Sequence, residues 1–323
     1  MQRKRVLFVW FLVGIMAAPV PAGAFDLALP SHQERDRVHR SEHAKGARTR
    51  RSPSARRSQA DGKSAGLAPY RDLGAWIDMF DRRPWAHPGK TVRAMARRGV
   101  TTVYLETSNY SKKRDLYRPG AIARLIRSAH AREMAIVSWY VPGFKNLKKD
   151  LRRAMKAIRF KTDDGQGFDS FALDIEATVV RDIGTRNRRF SALARRIRNR
   201  VGNAYTLGAI VPEAGALYWP NFPYQEVARR FDVFLPMAYY TYRVKGRFAV
   251  RRFIVNNVTT IRQRTGKLGV PIHPIGGIGG EGTRAEAEGY VAAVIKSGAM
   301  GGSFYDFPIT TDGEWAALRR LAR

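Results

Sequence analysis

Residues 167–176 read Gly-Phe-Asp-Ser-Phe-Ala-Leu-Asp-Ile-Glu, a short run rich in strand formers that closes on two carboxylates. An apolar and aromatic stretch of this length suits a β-strand. Seven further runs of the same kind flank it: 73–80, 100–107 and 134–141 before it, and 205–212, 231–240, 270–278 and 301–307 after it. Between them lie arginine-rich amphipathic segments predicted as helices over 91–98, 119–132, 147–159, 186–201, 224–230, 250–265, 283–296 and 311–321. Strict strand–helix alternation implies a parallel sheet, and eight units in succession imply a closed (β/α)8 barrel. Punctuation agrees with this reading. Pro119 suits a first helical turn, Gly99, Gly202 and Gly298 follow helix ends, and Thr283-x-x-Glu286 has the form of a capping box. An open dinucleotide-binding sheet would want a glycine-rich turn after its first strand, and Asp78-Met79-Phe80-Asp81 offers none.

The barrel occupies 67–323 of the 323 residues. Residues 1–24 have the form of a secretory signal: Arg3-Lys4-Arg5, an apolar run from Val6 to Ala18, and Ala22-Gly23-Ala24 before a cut at Phe25. An uncleaved membrane anchor is the alternative. Residues 25–66 carry serine, arginine and glycine with few apolar side chains, and are expected to form a disordered basic linker. The protein is therefore expected to be exported, as a secreted, periplasmic or wall-associated chain. Its formal net charge is +31, of which +23 lies on residues 67–323. Such an excess attracts polyanions: anionic wall polymers, acidic polysaccharides or a membrane surface. A merely solvated basic face accounts for it equally well. No nucleic-acid motif is present.

There are no cysteines, which excludes a disulfide scaffold, a thiolate metal site and a cysteine nucleophile. His87, His130 and His273 show no paired ligand spacing, so no metal or other cofactor is expected, and no G-x-S-x-G elbow marks a serine hydrolase. The glycine-rich loop 276–282 admits an anion site in principle, but without a following lysine or serine it reads as a turn.

Barrels of this type place chemistry at the C-terminal ends of their strands. There the sequence gathers Asp78 and Asp81, Glu106, Trp139 and Tyr140, Asp174 and Glu176, Glu213, Met237, Tyr239 and Tyr240, and Tyr305 and Asp306. Carboxylates mixed with aromatics suit a carbohydrate cleft, because glycosidic bonds are cleaved by carboxyl groups. Asp174 and Glu176, spaced i and i+2 on a strand, point to one side, and each raises the other's pKa as a general acid requires. Glu176 is the candidate acid/base. Glu106, Glu213 and Asp306 are candidates for a second carboxyl group.

The fourth strand resembles the D-G-x-D-x-D-x-E signature of family 18 glycoside hydrolases, the chitinase-like barrels. It matches at Asp169, Asp174 and Glu176, and has Ala172 where that family has its middle aspartate. The strand Met237-Ala238-Tyr239-Tyr240 likewise resembles the family's Met-x-Tyr-Asp, with Tyr240 in the aspartate's place. The resemblance implies Glu176 as proton donor, Asp174 as the group that orients the substrate's acetamido group, and Tyr239 steadying the intermediate. Glu106, Trp139, Tyr140, Met237, Tyr240 and Asp306 are the expected substrate contacts. The expected function is polysaccharide hydrolysis by a monomeric exported enzyme. The alternative is a barrel that keeps the cleft and has lost activity, holding a carbohydrate or polyanion.

Overall fold

The computed structural model describes residues 66–322. The expected signal sequence and the basic linker up to residue 65 lie outside the described residues. Eight parallel strands close a barrel in chain order: β1 (Asp72–Ile77), β2 (Thr102–Asn109), β3 (Ala135–Val141), β4 (Ser170–Asp174), β5 (Leu207–Pro212), β6 (Val233–Met237), β7 (Ile275–Ile278) and β8 (Gly301–Tyr305). Two helices, α1 (Arg82–Ala86) and α2 (Pro88–Arg97), follow β1. One follows each later strand: α3 (Pro119–His130), α4 (Leu147–Ile158), α5 (Ile183–Val201), α6 (Tyr224–Arg230), α7 (Arg247–Thr265), α8 (Arg284–Lys296) and α9 (Asp312–Leu318). This is the (β/α)8 barrel that the alternation implied. Among the described residues no helix is long and apolar enough to cross a membrane.

Each strand divides its side chains between two cores. On β4, Phe171, Leu173 and Ile175 face outward and pack with Phe190, Leu193 and Ile197 of α5. Ala172 faces inward, in a separate cluster with Trp76, Tyr104, Trp139 and Met237. Full burial of one such outward leucine or phenylalanine contributes roughly 1.5–3 kcal/mol, so the helix ring is held on mainly by this outer layer. Glu286 completes the expected capping box with Thr283, and Thr311 with Glu314 forms a second that the sequence reading did not single out. Gly202 ends α5 at φ +73°, a conformation open to glycine.

Two elements differ from expectation. The region after β1 holds an extra short helix, because Pro88 disfavours helical geometry at His87 and restarts the chain as α2. The seventh strand is expected over 270–278 but spans only Ile275–Ile278. Pro271 and Pro274 cannot donate to a ladder, and only an isolated bridge, Phe234 to Ile272, forms ahead of it.

The barrel floor is closed by a 3-10 turn, Ala68–Tyr70, whose Tyr70 is fully buried. Its hydroxyl donates to Ser170 Oγ at 2.7 Å, and Ser170 Oγ donates to the Thr206 carbonyl at 2.8 Å. Its carbonyl accepts from His273 Nδ1 at 2.9 Å. Ser303 Oγ then donates to His273 Nε2 at 3.0 Å and accepts from Trp76 Nε1 at 2.8 Å. Burial depresses the His273 pKa to about 4, so the imidazole is neutral and structural.

Candidate active site

The same two-residue alternation decides which rim residues reach the barrel interior. Following Ala172, Asp174 points inward and is 5% exposed; Glu176 lies in the turn just past β4, partly open to solvent and near enough to Asp174 and Glu106 to raise both their pKa values. On β2, Glu106 lies in register with Trp139 of β3, which lies in register with Ala172. Trp139, Met237 and Tyr239 line the inner cluster. Trp76 forms its aromatic centre, stacked on Tyr104 at 4.3 Å and edge-on to Trp139 at 5.7 Å. Tyr305 sits 6.4 Å from both Trp76 and Tyr239.

Two expected substrate contacts lie elsewhere. Tyr140, one residue past Trp139, faces the helix ring, where its hydroxyl donates to Asp150 Oδ1 at 2.5 Å. Tyr240, one residue past Tyr239, is fully buried in the outer core against Phe304 and the loop glycines Gly277 and Gly282. Tyr140 takes the outward side of an extended strand and Tyr240 opens a 3-10 turn past β6, so neither belongs to the mouth. Glu213 is also removed as a second carboxyl candidate: its Oε1 accepts from Arg243 Nε at 2.7 Å. The first motif aspartate, Asp169, lies at the other end of β4, where Oδ2 accepts from the Ile136 amide and contacts His130 Nε2. It ties β4 to β3 and α3.

Electrostatically the mouth is unusual for so basic a chain. Glu106 Oε2 accepts from the Met79 amide at 3.0 Å and Oε1 from Asn109 Nδ2 at 3.2 Å, both neutral donors. Burial, reinforced by Asp78 and Glu176, pushes its pKa up to about 8. Burial raises Glu176 to about 7. Asp174 is raised well above the usual carboxylate range, first by burial and then by Glu176 and Glu106. Its Oδ1 has no hydrogen-bond partner among the described residues, and neither has Trp139 Nε1. The phenols of Tyr239, Tyr218 and Tyr305 are also raised, by burial and the adjoining carboxylates, and stay protonated as donors. Tyr110, which the sequence reading missed, also feels Glu176 from the chain just beyond β2.

Asp306 joins Asp78 and Asp81 at the junction of β8 and β1, with one carboxylate oxygen from each within 4.8 Å of the others, a spacing able to hold a cation. Tyr305 Oη donates to Asp78 Oδ2 at 2.8 Å. The glycine-rich loop is not an anion cradle: the Gly280 amide donates to Glu314 Oε2 at 2.9 Å. Gly276 is required by packing, since a Cβ there would lie 2.1 Å from the Tyr290 ring.

No known family profile matches the sequence, and no curated relative matches it. Solved structures do match in fold. A chitinase from Rhizomucor miehei aligns at 12% identity and TM-score 0.55, over 78% of this chain and 100% of that one. An endo-1,4-beta-mannanase from the same fungus aligns at 7% and 0.60, over 78% and 94%. A glycoside hydrolase family 18 N-acetylglucosaminidase from Paenibacillus barengoltzii aligns at 12% and 0.53, over 78% and 99%. At these identities the likeness establishes the barrel, which this chain shares with glycoside hydrolases.

Proposed function

We propose that this chain is a glycoside hydrolase of the chitinase-like type, acting on a polysaccharide, with Glu176 as general acid/base. The observation that carries the proposal is the placement of Glu176: at the end of β4, partly open to solvent, with its pKa raised to about 7 by burial. At that value it holds a proton to give to the glycosidic oxygen, and once ionised it can take one from the incoming water. Asp174, kept neutral beneath it, has an Oδ1 with no protein partner and is placed to bond a substrate oxygen or amide. Tyr239, just past β6, keeps its proton and can donate to the substrate. Glu106 is neutral over most of the working range and fixed by two donors, which suits it to shaping the cleft better than to nucleophilic attack.

The proposal includes export through residues 1–24, a monomeric enzyme, and an outer basic face that holds it near anionic wall polymer or membrane surface. Replacement Glu176→Gln tests the chemistry. Cleavage of chitin-type or mannan polymers should fall by roughly 10²–10⁴-fold with binding retained. Unchanged cleavage in the variant would remove Glu176 from the mechanism. N-terminal sequencing of the secreted protein should find Phe25 first. A second reading, an inactive glycan-binding barrel, is favoured by Ala172; a parent protein that binds glycans and cleaves none would establish it.

A further inference from the structure

We infer that the mouth of this barrel selects an amino sugar carrying a free ammonium group over its N-acetylated or neutral counterpart. The inference rests on the reading of the mouth as a glycan cleft and names the substrate class for it. The chain has 58 lysines and arginines against 27 acidic residues, so an acid left without a cation is against the odds. Several acids elsewhere are paired by this excess, with Asp115 on Arg152, Arg153 and Lys156, Asp232 on Arg198, Glu213 on Arg243, and Glu288 on Arg247 and Arg284. The buried Glu286 and Glu314 are satisfied by backbone amides and cap hydroxyls. Glu106, Asp174 and Glu176 form no ion pair with any described residue. The charges that act on Asp174 are those of Glu176 and Glu106, both acidic.

Three carboxyl groups at the mouth with no basic partner avoid mutual repulsion by holding protons, and an incoming cation lets them ionise as a favourable ion cluster instead. A second observation points to a ligand. Asp174 Oδ1 is buried on a residue 5% exposed, has no hydrogen-bond partner among the described residues, and sits on the inward face of β4. An ammonium group offers three N–H donors and a full charge, which this set can take up. Tyr239 and Tyr305, partly exposed with ring centroids 6.4 Å apart, supply aromatic rings that attract a cation as well as sugar C–H faces. Ala172 fits the same picture. Its methyl group adds no polar partner on the inward face of β4 beneath Asp174.

Calorimetry on the parent protein with three oligosaccharides of equal length tests this: a glucosamine oligomer, an N-acetylglucosamine oligomer and a β-1,4-mannose oligomer. At about pH 6 the amine is cationic. The glucosamine oligomer should bind at least about tenfold more tightly than either neutral one, a gap of roughly 1.4 kcal/mol. Its binding should release protons, seen as a buffer-dependent heat, because the incoming cation lowers the raised carboxyl pKa values. Glu106→Gln should erase most of the preference, and Asp174→Asn should do so if the first variant fails to fold. Equal or tighter binding of a neutral oligomer, or no binding of the glucosamine oligomer, overturns the inference. Cleavage of a neutral polymer that is lost in Glu176→Gln, with no glucosamine preference, would overturn it and leave the hydrolase reading intact. Tight glucosamine binding with cleavage indifferent to Glu176 would do the reverse.

Discussion

Ala172 is one of the residues at which this chain parts from the motif it resembles, and its surroundings show what an aspartate there would meet. It is fully buried in the inner cluster, with Trp139 in register beside it and Gly208 on the other side. A carboxylate restored there would enter a dry aromatic layer beside Asp174 and Glu106. We expect Ala172→Asp to lower stability by about 2 kcal/mol or more and to leave hydrolysis no faster, as measured by urea denaturation and polymer cleavage. At this scale the sequence was partly readable. The inward placement of Asp174 follows from the alternation along β4, whereas Glu176 is set by the turn that begins after Asp174 and ends the strand two residues short of the expected 176. Alternation along β3 separates Trp139 from Tyr140 into one inward and one outward ring, and the 3-10 turn past β6 does the same for Tyr239 and Tyr240. The missing hydrogen bond on Asp174 and the neutral anchors of Glu106 come from contacts across strands, which no spacing reveals.

Among the elements, the loop after β7 and helix α9 form a joint whose importance exceeds its size. Glu314 closes the capping box of α9 with the Thr311 amide at 2.8 Å and also accepts from the Gly280 amide at 2.9 Å. Glu286 caps α8 and accepts from the Gly246 amide at 2.8 Å. Each carboxylate therefore fixes a neighbouring rim loop as well as its own helix. Glu314→Ala should cost roughly 2–3 kcal/mol in denaturant unfolding, against about 1 kcal/mol for Thr283→Ala, which removes a cap hydroxyl alone. The strand–helix order was legible throughout because hydrophobic period and turn residues agree. The short β7 was not, since apolar residues continue through Pro271 and Pro274 although the ladder does not.

For the molecule as a whole, the carboxyl groups of the mouth and the histidine of the floor pull stability in opposite directions with pH. Glu106 rises from 4.5 to about 8 on folding, so the folded chain binds more protons between those values. Its contribution is complete below 4.5 and is lost as pH climbs through about 8, at up to about 1.4 kcal/mol per pH unit. His273 falls from 6.5 to about 4, so its contribution is lost as pH drops through that window and is flat above it. From pH 6.5 upward only the carboxyl effect of this pair operates. Scanning calorimetry should show Tm declining from pH 6.5 to beyond 8, with a markedly smaller decline in Glu106→Gln.

The closed floor also fixes how the molecule can be presented. Gly66 lies against Thr206 at the foot of β5, and Ala322 lies against Gly99 at the foot of β2. Both ends of the described chain thus leave from the face opposite the carboxylate mouth. A molecule grafted to a bead, a filament or a second domain by either end turns its mouth outward, toward whatever diffuses past.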